Sequence, residues 1–541
     1  MCLNQQISPR LVVGVAATLA VCLSAFGRQV FASEQTPQQP APVIAPVAQP
    51  QQPTGTEIQL TADEAVRLAM ENNLGVRAER LGPRIGTLNV AQARALFAPR
   101  LQSSTSTRSS TNPPDFLANA GATETTTSER LFTNVGVAQN IRWGGGSYSL
   151  GVDGSKTTVN YTSSFNPQLN SNLNLNFTQP LLRNFTIDSG RQQLMIARKN
   201  EEIADLQLRQ QLTATERVTR NAYYDLILAI EGQKVAQQSL ELARESLRQN
   251  ERRVEVGTMA QIDILEAQAE VSRVEESVII ADSSIKSAED NLRTLILNPQ
   301  QPDYWTARLI PTERPTLTAQ AVDIDAAVTK ALAERTDLAQ ARKQLETTQI
   351  NIDFARNQKL PDVNLIGSYN TVGVAGTQYS FAPGAFPPIV EDQTQRSFAD
   401  ALRDVFGNNF KTWSLQLQIS YPIGTSAAEA GHAAARLQQE QQRNNLLDAE
   451  LNVTAQVRDA GRQVNTSLQR VQSTTRAREF AERRLEAEQK RLTVGLSTTF
   501  QLFQAQRDLA NVRQQELRAI IDYNRALVNF QAVQQAPLAG R

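Results

Sequence analysis

The stretch VGTMAQIDILEAQ (residues 256–268) places a glycine inside a region that otherwise favours helix. From Arg191 to Leu297 the chain is rich in Ala, Gln, Glu, Arg and Leu, and no proline interrupts it. Glycine costs about 1 kcal/mol relative to alanine in a helix interior, yet VGLSTTFQLFQAQ (494–506) repeats the arrangement around Gly495. We therefore predict that each glycine marks the reversal between a long helix and a returning one.

The two halves of the chain repeat one another, and this organises the whole sequence. EAVRLAMENN (64–73) is echoed by AAVTKALAER (326–335), Pro99 by Pro361, and Gly257 by Gly495. The interval between the proline and the long helix is greater in the first copy, which therefore carries an insertion. Each half is predicted to run as helix, strands, long helix, glycine turn and returning helix. The predicted segments are a signal peptide (1–32), a Pro/Gln-rich disordered linker (33–57), a first repeat (58–300, with strands at 100–180), an inter-repeat linker at the waist (301–322), a second repeat (323–535, with strands at 361–423) and a tail (536–541).

The N-terminal segment has the features of a secretory signal. An apolar run (11–26) follows Arg10, and cleavage is expected after Ala32. The run is short for the ~20 apolar residues of a transmembrane anchor, which is the alternative interpretation, and lipidation at Cys22 is another. The formal net charge is zero, which gives no support to a nucleic-acid partner.

The helices are predicted to be long and to supercoil. A helix over 191–254 would span about 96 Å, one over 258–297 about 60 Å and one over 60–98 about 58 Å, at ~1.5 Å per residue. Both returning helices carry a seven-residue apolar repeat, which predicts coiled-coil packing. The seam positions are Ile264, Val271, Val278, Ile285 and Leu292 with Ala267, Val274, Ala281, Ala288 and Leu295, and in the second copy Leu502, Leu509, Glu516, Tyr523 and Phe530 with Ala505, Val512, Ala519, Ala526 and Val533. Asp188 is a candidate cap for the first long helix.

Strand candidates lie between the helices. In KTWSLQLQISYP (411–422) apolar side chains alternate with uncharged polar ones, and residues 172–178 alternate in the same way. This pattern is typical of a tilted transmembrane strand with one face in lipid and the other in water; a strand on a soluble core is the alternative. Trp143, Tyr148, Trp413 and Tyr421 are candidates for an interfacial aromatic girdle, or for loop or core positions.

The number of strands has a consequence for assembly. We predict two principal strands per half, and a further hairpin is possible at 135–152, where the sequence GGG is a turn signal. Four strands cannot close a barrel, because the smallest barrels have about eight. An open sheet edge is not tolerated within lipid. The chain is therefore predicted to be an obligate oligomer.

This combination resembles the outer-membrane efflux protein family, the TolC-like outer-membrane channels. The resemblance covers roughly residues 58–535 and rests on the duplication, on Pro99 and Pro361 at the helix-to-strand junctions, on QPLLRNF (179–185) and YPIG (421–424), and on the two glycine stretches. It implies a mainly α chain with a membrane β-barrel. The expected assembly is a homotrimer whose twelve-stranded outer-membrane barrel takes four strands from each chain and continues into a long α-helical coiled-coil tunnel in the periplasm.

The family also implies a function and partners. The chain would be the exit duct of a tripartite efflux or type I secretion system, conducting substrate passively through the outer-membrane lipid. The glycine turns would form the periplasmic tip and contact a periplasmic adaptor (membrane fusion) protein, which connects to an inner-membrane ABC or RND transporter. The residues implied in this contact are Gly257, Thr258, Gly495, Leu496 and Ser497; the first turn departs from the family pattern after its glycine.

The resemblance also suggests a constriction at the tip. In the best-known member of the family, acidic residues just beyond the second-half glycine narrow the closed tip, but here those positions are Gln501 and Gln504. The first copy carries Asp263 and Glu266 at the equivalent places, and a spacing of three puts both on nearly one helix face. In a trimer they could form stacked carboxylate rings that favour cations; a solvated coiled-coil face is the alternative.

No pattern indicates an enzyme. His432 is the single histidine, and the sequence has no phosphate loop or nucleophile elbow. Neither a cofactor nor a metal is expected, because the mature chain would lack Cys and His clusters. The alternative to a channel is a soluble periplasmic coiled-coil scaffold or adaptor. The cargo stays open between a drug, a protein, a glycolipid and a metal.

Overall fold

A computed structural model describes residues 57–113, 125–313, 322–385, 388–424 and 426–537. The predicted signal peptide, Cys22 and nearly all of the Pro/Gln-rich linker lie outside the described residues. The helices in the described part of the chain are α1 (Ala62–Asn72), α2 (Leu74–Glu79), α3 (Leu81–Ala95), α4 (Ser189–Glu255), α5 (Gln261–Ile296), α6 (Ile324–Glu334), α7 (Thr336–Gln358), α8 (Phe398–Phe406), α9 (Ala427–Thr493) and α10 (Thr499–Val533). None of these helices combines the length and apolarity needed to cross a membrane.

The two long helices are equal in length. Both α4 and α9 contain 67 residues, so each spans about 100 Å at ~1.5 Å per residue. Helix α4 begins where the sequence predicts, because the Asp188 carboxylate accepts a 2.8 Å hydrogen bond from the backbone N–H of Arg191. The guanidinium of Arg191 in turn donates to Asp188 at 2.7 Å.

The first short helix is not continuous, contrary to the prediction of one helix over 60–98. It divides into α1, α2 and α3, and the break between α1 and α2 arises because Asn73 leaves the helical conformation, with ψ at 123°. The Asn73 side chain then accepts a 3.2 Å hydrogen bond from Val76 N and so caps α2. Arg335 makes a similar break between α6 and α7 in the second half, with ψ at 131°.

The returning helices use the predicted heptad seams. Helix α5 packs along α4, α10 packs along α9, and α4 also contacts α10. In α10, every predicted seam residue is buried except Val512 and Glu516. In α5 the buried seam residues are Ala267, Val274, Ala288 and Leu292. The small alanine side chains of the seam let the backbones of the paired helices approach closely.

A small second sheet lies beside the middle of α4. It pairs β1 (Glu57–Leu60) in parallel with β6 (Arg308–Pro311), which belongs to the predicted inter-repeat linker. Leu60 and Leu309 from these strands join Tyr223, Leu226 and Leu292 in one buried cluster. This cluster fixes the linker against α4 and α5.

The large sheet has seven strands, more than the four predicted. They are β2 (Arg100–Asn112), β3 (Thr126–Asn140), β4 (Ser147–Val159), β5 (Phe165–Pro180), β7 (Asp362–Phe381), β8 (Val390–Arg396) and β9 (Lys411–Ser420). Their order is β2-β3-β4-β5-β7, followed by β8 and β9, which both pair with β7. The hairpin around the GGG turn is confirmed as β3 and β4, and it accounts for two of the extra strands.

The third extra strand arises because the last strand is interrupted by a helix. Strand β8 pairs with β7 over residues 376–381 and β9 pairs with it over residues 362–371, so the two do not add to the width at the same level and the sheet is at most six strands wide. Between them α8 lies over Gly373, whose missing side chain makes room for the Ala401 carbonyl. The guanidinium of Arg396 donates to the Val374 carbonyl at 3.0 Å, which satisfies a ladder group that no strand reaches.

Candidate functional site

The large sheet has one continuous apolar face. Its register places one apolar residue from each of six adjacent strands in a single row: Leu101, Val137, Leu150, Leu175, Tyr369 and Trp413. Leu101 and Trp413, at the two edges, are 75% and 70% exposed. Such a surface is unfavourable in water, and apolar patches of this extent mark a membrane or a partner.

The opposite face of the sheet is polar and mostly uncharged. The neighbouring row on that face consists of Gln102, Gly136, Gly151, Asn174, Asn370 and Thr412. Close to this row, the Asp153 carboxylate is 7% exposed and accepts hydrogen bonds from the amides of Asn172 (2.7 Å) and Asn174 (2.6 Å). A face of amides and hydroxyls, opposite an apolar one, is the alternation of a strand between lipid and water.

The predicted girdle residues occupy different positions on the sheet. Trp413 is near the start of β9 and Tyr421 directly follows its end, so the two bracket the apolar part of that strand. Trp143 lies in the hairpin turn, edge-on to Phe185 with 6.3 Å between ring centroids. Tyr148 points its hydroxyl at Gln139 Oε1, at 2.7 Å. Trp143, Trp413 and Tyr421 are exposed.

Both glycine turns have the same backbone geometry. Gly257 and Gly495 have φ of 74° and 75°, the left-handed conformation that a glycine after a helix adopts at low cost. The following N–H of Thr258 bonds to Arg253 O at 2.8 Å, and that of Leu496 bonds to Arg491 O at 2.9 Å. Each long helix therefore ends in a Schellman motif.

Apolar side chains project from the turns. Val256 and Val494, which precede the glycines, are exposed, as is Leu496 at 78%. Ile262 and Phe500 on the returning helices are also exposed. Ser497 is more constrained, because its hydroxyl hydrogen-bonds to Gln501 Oε1 at 2.9 Å and to Glu488.

The four predicted constriction residues do not lie in one environment. Asp263 is half-buried and accepts a 2.9 Å hydrogen bond from the Thr499 hydroxyl. This bond connects the helix that follows the first glycine turn to the helix that follows the second. Glu266 is exposed. Gln501 is exposed as well, whereas Gln504 is half-buried and donates to Asp508 at 3.0 Å.

Sequence reasoning missed several of these residues. Thr499 as the partner of Asp263 could not be found, because the contact joins positions far apart in the chain. Asp153 does carry a signal, since it falls on the polar positions of the alternating segment 148–155. Helix α8 also carries one: Phe398, Ala401 and Val405 have helical apolar spacing, preceded by a Ser397–Asp400 capping box.

Comparisons with known proteins agree with this architecture. The family described as "Outer membrane efflux protein" matches residues 65–296 and 327–533. The outer membrane protein TolC of Vibrio cholerae is 21% identical over 321 residues, which cover 57% of this chain and 66% of that protein. The chain thus aligns with just under two thirds of the length of that relative.

Solved structures share the fold of the chain. The outer membrane channel CmeC of Campylobacter jejuni matches with a TM-score of 0.61 and 14% identity, covering 89% of this chain and 87% of that one. The outer membrane protein VceC of Vibrio cholerae matches with a TM-score of 0.61 and 16% identity, covering 88% and 96%. Since the family match spans most of both halves, this chain belongs to the outer membrane efflux protein family of TolC-like channels, which lie in the outer membrane and extend into the periplasm.

Proposed function

We propose that the chain is the exit duct of a tripartite efflux or type I secretion system, in which it conducts substrate passively as a homotrimer. One observation carries this proposal: six adjacent strands align an apolar face against a polar one and leave β2 and β9 as open edges. An unpaired edge is not tolerated in lipid, so further copies would close the sheet. The polar face would then line a water-filled lumen.

The tip supports a docking role for the two glycine turns. We propose that Gly257, Thr258, Gly495, Leu496 and Ser497 contact a periplasmic adaptor, which links the duct to an inner-membrane ABC or RND transporter. The exposed Val256, Val494 and Leu496 supply apolar contact area. Exposed apolar side chains beside a polar surface are the usual anchors of a protein interface.

The experiment that tests the function combines cell fractionation with electrical recording. We expect a heat-sensitive trimer in the outer-membrane fraction, and stepwise conductance when the detergent-purified chain is added to a planar lipid bilayer. The alternative, a soluble periplasmic scaffold or adaptor, predicts a chain that stays in solution without detergent and leaves the bilayer silent. That second result would overturn the proposal.

We further propose that Asp263 and Glu266 form the gate of the tip. Both carboxylates follow the first glycine turn, and the Asp263–Thr499 hydrogen bond fixes one of them between the two tips. Rings of carboxylates favour cations in a pore.

Replacing both carboxylates with Asp263→Ala and Glu266→Ala should raise conductance or weaken cation preference, measured as reversal potential in a salt gradient. The matched control is Gln501→Ala with Gln504→Ala, which removes neutral side chains at the equivalent places and should leave the reversal potential unchanged. Equal conductance and selectivity in the carboxylate variant and the wild type would remove these residues from the gate.

A further inference from the structure

A cleft of about 440 Å³ opens on the apolar face of the large sheet, beside α8. This volume lies within the range of about 300–1,000 Å³ typical of small-molecule sites. The sheet supplies the floor through Leu131, Val135, Val152 and Leu169, and α8 supplies one wall through Phe398. The exposed surface of the lining is mainly apolar, although Thr133, Ser171 and Lys156 also line the cleft, so water is a poor occupant.

Small residues in adjacent strands create the space for α8. Gly154, Ser171 and Gly373 are direct neighbours in the ladder, so three strands lack a large side chain at the same level. Helix α8 occupies this trough, with Phe398 so close to Gly154 that an added Cβ would lie 2.9 Å from its ring. Close packing on these small residues therefore fixes the position of α8, and the same packing forms the cleft beside the helix.

The cleft lies at the end of the sheet away from the long helices. Helix α3 leads into the start of β2, and β5 and β9 lead into α4 and α9, so those strand ends face the tunnel. Within β4 the cleft residues Val152, Gly154 and Lys156 follow the tunnel-side turn and approach the opposite end. In an outer-membrane protein whose helices lie in the periplasm, that end faces the outer leaflet.

A cation stands at the rim of the cleft. Lys156 is exposed and belongs to the lining, and no described carboxylate forms an ion pair with it within 4.0 Å. Its direct cross-strand neighbour is Leu131, and Glu129 is the next residue of β3 on the same face. An apolar trough with an ammonium at its outer end matches an acyl chain attached to an anionic headgroup.

We propose that this cleft binds an acyl chain of a phosphorylated glycolipid of the outer leaflet, with a headgroup phosphate on Lys156. The cleft is continuous with the apolar face that contacts the membrane, so the chain enters it without crossing water. Outer-leaflet position and charge favour the glycolipid over a zwitterionic phospholipid. A second copy of the protein is the other possible cover, and the test separates the two.

The first test measures the lipid that stays with the protein. The full chain is purified from outer membranes in dodecyl maltoside, and the lipids that remain bound are quantified by mass spectrometry. Thr133→Trp fills the floor of the cleft. Thr107→Trp is the matched control, since Thr107 lies in β2 on the same face of the sheet, is exposed and does not line the cleft. We expect the wild type and Thr107→Trp to retain glycolipid and Thr133→Trp to lose it.

The second test uses the charge. Delipidated protein is titrated with bisphosphorylated lipid A, with its dephosphorylated form and with phosphatidylethanolamine, and followed by native mass spectrometry. Lys156→Gln should weaken binding of the bisphosphorylated form about tenfold, as expected for a lost charge-assisted hydrogen bond, and leave the dephosphorylated form unchanged. Glu129→Gln, which removes the opposite charge on the same face, should not weaken either.

Three results would overturn the proposal. Equal lipid retention by Thr133→Trp and Thr107→Trp would place the bound lipid elsewhere. Preference for phosphatidylethanolamine over lipid A would reject the glycolipid. Cross-linking of Thr133→Cys to a second copy would show that protein, and not lipid, covers the cleft.

Discussion

At the residue scale, the requirement at Gly257 and Gly495 is one of backbone conformation, not of space. An added Cβ at either glycine would meet nothing within 4 Å, yet both have positive φ. Gly145 in the β3–β4 turn differs, because it combines φ of 68° with an Asn184 carbonyl 2.3 Å from an added Cβ. The same residue type is thus needed for one reason at the tip and for two at the sheet.

Gly257→Ala should destabilise the first tip by about 1–2 kcal/mol, the cost of a left-handed conformation for a residue with a Cβ. Hydrogen exchange measures this locally, and amides near residues 250–265 should lose protection by a factor of about 5–30. Gly232→Ala is the control, since Gly232 lies inside α4 with open space around it, and it should gain up to about 1 kcal/mol. Unchanged tip protection in Gly257→Ala would show that the turn tolerates another conformation.

These glycines show which single-residue features can be predicted from the sequence. The positive φ of Gly257 and Gly495 could be predicted, because a glycine that interrupts a long run of helix-favouring residues commonly ends the helix in the left-handed conformation. The contact between Gly145 and Asn184 could not be, since it depends on how the hairpin meets the start of α4. Likewise the hydrogen bond between Asp263 and Thr499 joins the two halves of the chain, and a local sequence pattern cannot predict a contact between residues so far apart.

At the element scale, the charged residue in the α10 seam has a partner network. Glu516 forms a 2.7 Å ion pair with Arg478, which also contacts Glu482 at 2.9 Å. Arg513 contacts Glu482 at 3.0 Å, and this hydrogen bond lowers the pKa of the Glu482 carboxyl. Arg478 and Glu482 belong to α9, and Arg513 and Glu516 belong to α10, so positive and negative groups alternate along the network. The Glu516 charge, at an apolar position of the heptad, is therefore compensated.

Arg478→Met should lower stability by about 1–2 kcal/mol, because it leaves the Glu516 carboxylate without its partner in a side chain only 15% exposed. The double variant Arg478→Met with Glu516→Leu removes both charges and restores the apolar seam, so it should recover or exceed the wild-type stability. Thermal unfolding of the detergent-solubilised protein, followed by circular dichroism, provides the comparison. If the single and double variants unfold at the same temperature, the unpaired Glu516 carboxylate does not cause the loss of stability.

Long, periodic elements were predictable, and short or interrupted ones were not. The seams of α5 and α10 and the alternation of β9 follow from repeated spacing, which a sequence displays directly. The break at Asn73 was missed although Asn72, Asn73 and Gly75 are poor helix formers, and the Asn73 side chain caps the helix that follows. Helix α8 was missed although its apolar spacing and its Ser397–Asp400 capping box are visible in the sequence, and its packing position depends on Gly373 in another strand.

At the scale of the whole molecule, the strand count decides the size of the pore. The expected twelve-stranded trimer assumed four strands per chain, whereas the sheet is six strands wide, with β2 and β9 at its edges. The two edges run in opposite directions, so β9 of one copy can pair in antiparallel fashion with β2 of the next. Three copies would then close eighteen strands, and the diameter of a barrel grows roughly in proportion to that number.

We therefore predict that the β3–β4 hairpin lies in the barrel wall between β2 and β5. The described part of the chain has no cysteine, so disulfides can map the order. Ser104→Cys with Asn134→Cys joins directly opposed residues of β2 and β3 on the polar face, and it should oxidise within one chain without loss of conductance. Ser104→Cys with Asn172→Cys is the control, because three strand spacings of about 4.8 Å separate β2 from β5, too far for a disulfide. A twelve-stranded barrel with the hairpin excluded would bring β2 beside β5 and reverse both results.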